Sequence, residues 1–382
     1  MTPAQLLAVT AHLPAPLAVI DAERLRDNAD QLVARAAGTP LRLATKSVRV
    51  RAIIEQVLAR PGWAGVMTYS LAESLWLSTH GVRDILLAYP TVDRAALAEL
   101  AASAEHRANI TLMVDATAHL ELVAAARPTG DVRVCLDVDA SLRIGRAHLG
   151  VRRSPLRTTT EVVRMAREIA VREGFVLDGL MFYDAQIAGL PDTSPAVRMV
   201  KRRSDAELRR RRAEIVAAVN EVAPLRFVNA GGTGSLERTG ADPVVTELTA
   251  GSGLFAPALF DRYDAFEAHP AAFFALDVVR KPAPAIATCF SGGFVASGPP
   301  GASRQPRPVW PSGLRLRGSE GAGEVQTPVR GRGARRLRAG DRVLFRHAKA
   351  GEMCERFDTV ALVEAGAART ALTYRGEGRD FG

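Results

Sequence analysis

Aromatic side chains make up only 5% of this 382-residue sequence. That scarcity argues against a single-stranded nucleic-acid surface, which needs stacking platforms interleaved with cations. The formal net charge of +9 does not restore that function class, because the arginines are spread along the chain. The densest basic runs, Lys201-Arg202-Arg203 with Arg209 to Arg212, and Arg330 to Arg338, read as solvated helix and loop faces. Cysteine is also sparse. Cys135, Cys289 and Cys354 form neither a CxxC pair nor an even, closely spaced framework, so a reducing compartment is expected. No stretch approaches the roughly 20 apolar residues a membrane span requires, and the N-terminus lacks the basic start and apolar core of a signal peptide. A cytoplasmic protein without nucleic-acid or membrane partners is expected.

Lysine is scarcest of all. Of 50 Lys plus Arg, lysine occurs only at Lys46, Lys201, Lys281 and Lys349. A composition so biased toward arginine makes each remaining lysine a candidate for work arginine cannot do, such as forming a Schiff base. Lys46 stands out by position. The apolar run Leu41-Arg42-Leu43-Ala44 reads as a buried strand that stops near the lysine, and a helical pattern follows from about Val50 to Arg60. Lys46 therefore lies at the carboxyl end of a strand, where α/β proteins keep their chemistry.

Alternation of short β-rich runs with amphipathic segments continues from there. Strands are expected at Leu41–Lys46, Gly65–Tyr69, Asp84–Tyr89, Ile110–Asp115, Val132–Asp139, Leu177–Tyr183, Arg226–Ala230 and Val244–Ala250. Helices are expected between most of them, among them Asp205–Val222. Strict alternation implies parallel strands with right-handed crossovers. Eight units in about 210 residues fit a closed (β/α)8 barrel better than an open sheet. The rhythm breaks near Pro270, beyond which short β segments lie among Gly and Pro, with an irregular hinge or loop from Ser297 to Gly323. The expected fold is thus an α/β TIM-type barrel over residues 22–265, followed by a mostly-β domain formed by residues 1–21 and 266–382.

Residues at strand carboxyl ends share one rim of such a barrel. Two glycine-rich turns follow the last two expected strands: Gly231-Gly232-Thr233-Gly234 and Gly251-Ser252-Gly253. Adjacent glycines let backbone N–H groups turn into an anion nest, with a Thr or Ser hydroxyl as a further donor. An amine and a phosphate nest on one rim are what pyridoxal 5′-phosphate requires. Arg143 is the candidate to face the cofactor's ring nitrogen, or else to pair structurally with Asp137 or Asp139. Tyr183 and Gln186 are candidates to stack on or hydrogen-bond the ring, or to pack at the rim.

With these residues in view, the chain resembles the fold-type III pyridoxal phosphate enzymes of the alanine racemase N-terminal domain group. It is most similar to the D-threonine aldolase and D-serine dehydratase branch, including the proteins called amino acid deaminase/aldolase. Arg42 and Lys46 match the first and fifth positions of that branch's Arg-Pro-His-x-Lys-x-His motif, while Leu43, Ala44 and Val48 replace its proline and both histidines. Phe182-Tyr183-Asp184-Ala185-Gln186 resembles its Gly-Tyr-Asp/Glu-Gly-His element, with Gln186 in the histidine's place. Val228 to Thr233 and Thr246 to Ser252 are similar to its two phosphate loops.

The resemblance implies a lyase that cleaves, or dehydrates and deaminates, a D-configured β-hydroxy-α-amino acid. Lys46 would be the Schiff-base lysine, and Gly232, Thr233, Gly251 and Ser252 would hold the phosphate. It further implies a homodimer and a divalent metal beside the cofactor, zinc or manganese. In the branch a His-x-Cys or His-x-Asp pair follows Gly-Asp-Arg-Val; here Gly340-Asp341-Arg342-Val343 is followed by His347 and Cys354, seven residues apart. Those types would suit zinc, and Glu352 a harder ion. His347 or Lys46 would move the proton. Two other readings stand beside the lyase. A racemase of this fold needs a second base, commonly a β-domain tyrosine, and no tyrosine lies between Pro270 and Thr370, Tyr374 following close to the C-terminus. A non-catalytic pyridoxal phosphate carrier would generally be a lone barrel.

Overall fold

Eight parallel strands alternate with helices and close on themselves in the computed structural model, which describes residues 1–382. Leu17–Asp21 (β1) precedes the barrel and lies outside it. The first five barrel strands are Leu41–Ala44 (β2), Trp63–Thr68 (β3), Ile85–Leu87 (β4), Ile110–Val114 (β5) and Val132–Asp137 (β6). After a hairpin of Leu142–Ile144 (β7) and Ala147–Leu149 (β8) come Phe175–Phe182 (β9), Phe227–Ala230 (β10) and Glu247–Ala250 (β11). β11 returns to β2 with Ala250 opposite Leu43, which shuts the barrel.

All eight strands expected from the sequence are present, most of them shorter at one or both ends. β2 stops at Ala44 and gives way to a 3-10 turn, Thr45–Ser47, that carries Lys46 out over the rim. Met67, Leu86, Met113, Cys135, Met181 and Phe227, one from each of six strands, fill the middle of the barrel. The helix expected at Asp205–Val222 starts earlier, at Pro195, because Ser194 caps it and a proline suits the first helical turn.

The opposite end of the barrel is tied by charge. Arg42, 1% exposed, places Nε 2.9 Å from Glu247 Oε1 and Nη2 2.7 Å from Glu247 Oε2, and Nη1 donates to Asp84 O at 2.6 Å. Asn229 Nδ2 donates to the same Glu247 Oε1 at 2.8 Å. Paired and hydrogen-bonded in this way, the buried charges are tolerated.

The second domain is a nine-stranded sheet made from Ala272–Ala283 (β12), Ile286–Phe290 (β13), Arg307–Trp310 (β14), Leu314–Leu316 (β15), Gln326–Gly331 (β16), Arg342–Arg346 (β17), Thr359–Glu364 (β18) and Ala367–Leu372 (β19), together with β1. β1 lies antiparallel to β12 and parallel to β18, so the N-terminal strand sits inside this sheet. Its alternate residues Leu17 and Val19 pack with Leu6 of the helix Pro3–Val9 on one face. Ala18 and Ile20 face the main core.

Within the stretch expected to be irregular, β14 and β15 are short and partly exposed. Residues Gly293 to Ala296 form no strand. Gly292 (φ +116) and Gly298 (φ +115) bracket a loop instead, closed by Ala296 N–H on Arg304 O at 2.9 Å.

Three contacts lock the sheet onto the barrel rim. Ala258 N–H and Leu259 N–H donate to His347 O and Ala348 O, each at 3.1 Å, and Arg346 ion-pairs with Asp261 at 2.6 Å. Gly351 lies so close to Lys46 that a Cβ built there would stand 1.9 Å from Lys46 O. Its φ of +96 also belongs to the region that favours glycine.

Candidate active site

A cavity of about 510 Å³ opens between the barrel's carboxyl rim and the β domain, and Lys46, Tyr89, Tyr183, Gly232, Thr233 and Ser252 are among its walls. Lys46 Nζ donates to Tyr89 Oη at 2.6 Å. Burial raises the Tyr89 phenol, but the neighbouring Lys46 ammonium and Arg153 guanidinium outweigh this and leave it below its ordinary value. Tyr183 is affected differently. Burial raises it, and Arg153 only partly offsets that. The Arg153 guanidinium lies 5.3 Å from the Tyr89 ring centre and 5.1 Å from that of Tyr183. Asp137, deep at the end of β6, is pushed up to about 7 by burial and by Asp115.

The two glycine turns flank this lysine. Gly231 takes φ +79 to leave β10. At Gly232 a Cβ would stand 2.9 Å from Ala188 Cβ, and at Gly251 one would stand 2.5 Å from Ala44 O. Only bare backbone fits at these two positions, and Gly232 N–H donates to Ser235 Oγ at 3.2 Å. Thr233 Oγ1 links the turns, accepting from Gly253 N–H at 3.1 Å and from Ser252 Oγ at 3.2 Å. A buried carboxylate fixes the first turn from behind: Ser235 and Thr239 hydroxyls donate to Asp184 at 3.2 and 2.7 Å.

Lys46, Tyr183, Gly232, Thr233, Gly251 and Ser252 therefore meet at one cavity. Four other residues do not join them. Arg143 is corrected to the structural alternative. It sits on the β7–β8 hairpin, half-exposed, with Nη2 2.7 Å from Asp139 Oδ2. From this segment it is Arg153, ten residues on, that reaches the cavity, carried there because the hairpin doubles back. Gln186 is also corrected. It is 3% exposed behind the rim, donating to Ala140 O at 2.7 Å and to Ser204 Oγ at 2.6 Å, and it does not line the cavity.

His347 and Cys354 lie off the cavity wall as well. His347 is wholly buried with Nδ1 3.2 Å from Ala272 O, and burial with Arg346 nearby lowers it to about 3, so it stays neutral. Its Nε2 has no partner and is the single feature that suits a metal. Cys354 packs in the hydrophobic core, where burial pushes the thiol up to about 12. No group of three or more His, Cys, Asp or Glu side chains is placed to hold an ion. The donor set does not fit zinc or manganese, which need several such ligands.

The sequence reading assigned no role to four wall residues, Tyr89, Arg153, Arg304 and Lys349. Tyr89 stands at the end of an expected strand and Lys349 is one of four lysines, so both carried a usable signal. Arg304, one arginine among many in a loop, carried none.

No curated protein sequence matches the chain significantly. Solved structures do. D-threonine aldolase from Filomicrobium marinum superposes with a TM-score of 0.82 at 20% identity, over 96% of each chain. D-threo-3-hydroxyaspartate dehydratase from Delftia sp. HT23 gives 0.76 at 20% identity, over 94% of this chain and 97% of its own. Alanine racemase from Corynebacterium glutamicum gives 0.60 at 16% identity, over 86% and 88%. At such identities these neighbours share the fold. The sequence model described as alanine racemase, N-terminal domain, matches residues 20–257, the whole barrel with Lys46 and both glycine turns, and the chain belongs to that family.

Proposed function

We propose that this protein is a pyridoxal phosphate-dependent lyase acting on a D-configured β-hydroxy-α-amino acid. The observation that carries the proposal is one amine, Lys46, sharing a cavity with two glycine turns that follow the last two barrel strands. The glycine cradle and the Ser252 and Thr233 hydroxyls fit a phosphate, and the flat space between Tyr89, Tyr183 and Arg153 fits an aromatic ring with a cation beside it. D-configuration and a β-hydroxyl are supported by the printed activities of the aldolase and dehydratase neighbours.

When bound, the cofactor supplies an electron sink for bonds at the substrate's α-carbon. The chain's residues do the rest. Lys46 Nζ would hold the cofactor, and as a free amine it would serve as a base at the cavity wall. Tyr89 Oη, 2.6 Å from Nζ, can pass a proton between that nitrogen and a substrate hydroxyl. Arg153, 5.1 Å from the Tyr183 ring centre, would place positive charge rather than a carboxylate near a bound ring and would disfavour protonation of its nitrogen. Lys349, Ala350 and Glu352 of the β-domain loop form part of the cavity wall. Because the metal donors do not come together, no step is assigned to a metal. Racemisation is not favoured, since Tyr374 is buried with its hydroxyl on Glu73 Oε1 at 2.9 Å. The proposal includes a homodimer, testable by analytical ultracentrifugation. It also includes the cytoplasm, supported by three buried, unpaired cysteines. No helix is long and apolar enough to cross a membrane.

The test is an absorption spectrum of cofactor-supplemented protein before and after borohydride, beside Lys46→Ala. A borohydride-sensitive band in the parent and none in the variant is expected. Its absence in both, or its persistence in Lys46→Ala, refutes the role of Lys46. Product analysis then divides the chemistry: glycine plus an aldehyde marks cleavage, and ammonia plus a keto acid marks dehydration.

A further inference from the structure

The cavity holds more positive charge than one phosphate accounts for. Its walls carry Lys46, Arg49, Arg153, Arg304 and Lys349 against a single carboxylate, Glu352. Arg49 is already paired with Glu355 at 2.5 Å. Lys46 and Arg153 belong to the barrel side, with the glycine turns and the two tyrosines. That leaves Arg304 and Lys349, both contributed by the β domain, with no carboxylate within ion-pair distance of either.

Arg304 is laid flat over Gly298, where a Cβ would stand 2.9 Å from its Nε and 3.1 Å from its Nη2. Its Nε is buried and has no hydrogen-bond partner. An unpaired guanidinium N–H hidden from water is costly, and the cost is relieved when an anion arrives. Lys349 Nζ is held at 2.9 Å by Ser297 Oγ, on the same loop as Gly298 and Arg304. Glu352, the one carboxylate on the wall, forms no ion pair with either cation, and its Oε2 accepts from Ser297 N–H at 2.8 Å. Ser297 and Gly298 thus hold two cations at the cavity wall, neither of them in an ion pair.

We propose that Arg304 and Lys349 form an anion subsite that selects amino acids bearing a second acidic group, a side-chain carboxylate in addition to the α-carboxylate. The inference rests on the proposed function for the amine chemistry at Lys46 and adds the substrate class. A monocarboxylate would leave at least one of these cations unmatched inside the cavity. A dicarboxylate matches the charge, and the guanidinium edge offers it two parallel N–H donors.

The test uses two readouts. In the first, cofactor-loaded protein is titrated with D-aspartate and D-alanine, neither of which has a β-hydroxyl, and the change in the cofactor's absorption is followed. D-Aspartate is expected to bind about 10- to 100-fold more tightly, and Arg304→Leu or Lys349→Met to abolish most of that preference, with Arg304→Lys recovering part of it. Equal affinity for the two amino acids in the parent, or an equal loss for both in the variants, overturns the subsite. In the second, calorimetry of succinate against butyrate on protein with and without cofactor reads the anion site independently of Lys46. If the parent lacks the borohydride-sensitive band yet binds succinate through Arg304, the proposed function fails and the subsite stands. If the band is present and succinate binds no better than butyrate, the subsite fails alone.

Discussion

Replacing Arg42 with leucine strands the Glu247 carboxylate at the closed end of the barrel. Arg42 is 1% exposed and Glu247 8%, and the pair is joined through two N–H donors at 2.9 and 2.7 Å, so neither charge has water to turn to. Nη1 also satisfies Asp84 O and, at 3.3 Å, Val66 O, which would lose that donor. Removing one partner of a buried pair costs about 3–5 kcal/mol, most of it the penalty of the charge left behind. Spread over the unfolding entropy of a chain this size, that is a fall of about 5 °C in midpoint. Denaturant unfolding followed by circular dichroism measures the first number and scanning calorimetry the second. Arg42→Lys keeps the charge but loses the planar fork and should fall between parent and leucine. Arg42→Leu/Glu247→Leu removes both charges and should recover part of the loss. A single Arg42→Leu variant within about 1 kcal/mol of the parent, or a double variant no better than the single, would refute the view of this cluster as a desolvated, mutually dependent network.

Three further outcomes are expected. Tyr89→Phe removes the hydroxyl 2.6 Å from Lys46 Nζ; kcat should fall about 100-fold with KM little changed, and an unaltered kcat would remove Tyr89 from the proton path. Glu73 is raised from 4.5 to about 7 by burial, against hydrogen bonds from Tyr69 N–H, Thr45 and Tyr374. A raised folded-state value means the stability it contributes is full below about 4.5 and lost as pH rises through about 7, a swing of about 3 kcal/mol. Asp137, also near 7, acts in the same direction, so Glu73→Gln should flatten roughly half of the decline seen by denaturant unfolding from pH 5 to 8. A steeper decline in the variant would contradict the assignment. Gly351→Ala sets a Cβ 1.9 Å from Lys46 O at a φ of +96. It should cost about 1–3 kcal/mol and shift the cofactor's absorption maximum, and an unshifted spectrum would show that the loop does not hold Lys46 in place.

What the linear order of residues determined is the part written in local pattern. Runs such as Ile110–Val114 and Val132–Asp137 are apolar because they are buried on both faces, and their alternation with amphipathic helices names a closed parallel barrel. Lys46 at a strand end and glycines after the last two strands were legible for the same reason, since each requirement is met by its own residue and its neighbours. The short strands β14 and β15 were not, because partly exposed four- and three-residue segments carry too little periodicity.

Only the tertiary structure decided which side chains face the cavity. Arg143 and Arg153 are chemically alike and ten positions apart, and it is the β7–β8 hairpin that turns the first toward Asp139 and the second between two tyrosines. Gln186 was drawn away by Ala140 O and Ser204 on other elements. His347 and Cys354 are close in sequence, yet the packing of β17 and its loop buries the thiol in the core and turns the imidazole to a backbone carbonyl. The presence of Arg304 and Lys349 on one cavity wall depends on two loops distant in sequence reaching one rim, and no spacing records that. Periodicity and turn chemistry are properties of a segment. Proximity between distant side chains is a property of the closed fold, and in this protein it sets the chemistry around an otherwise legible lysine.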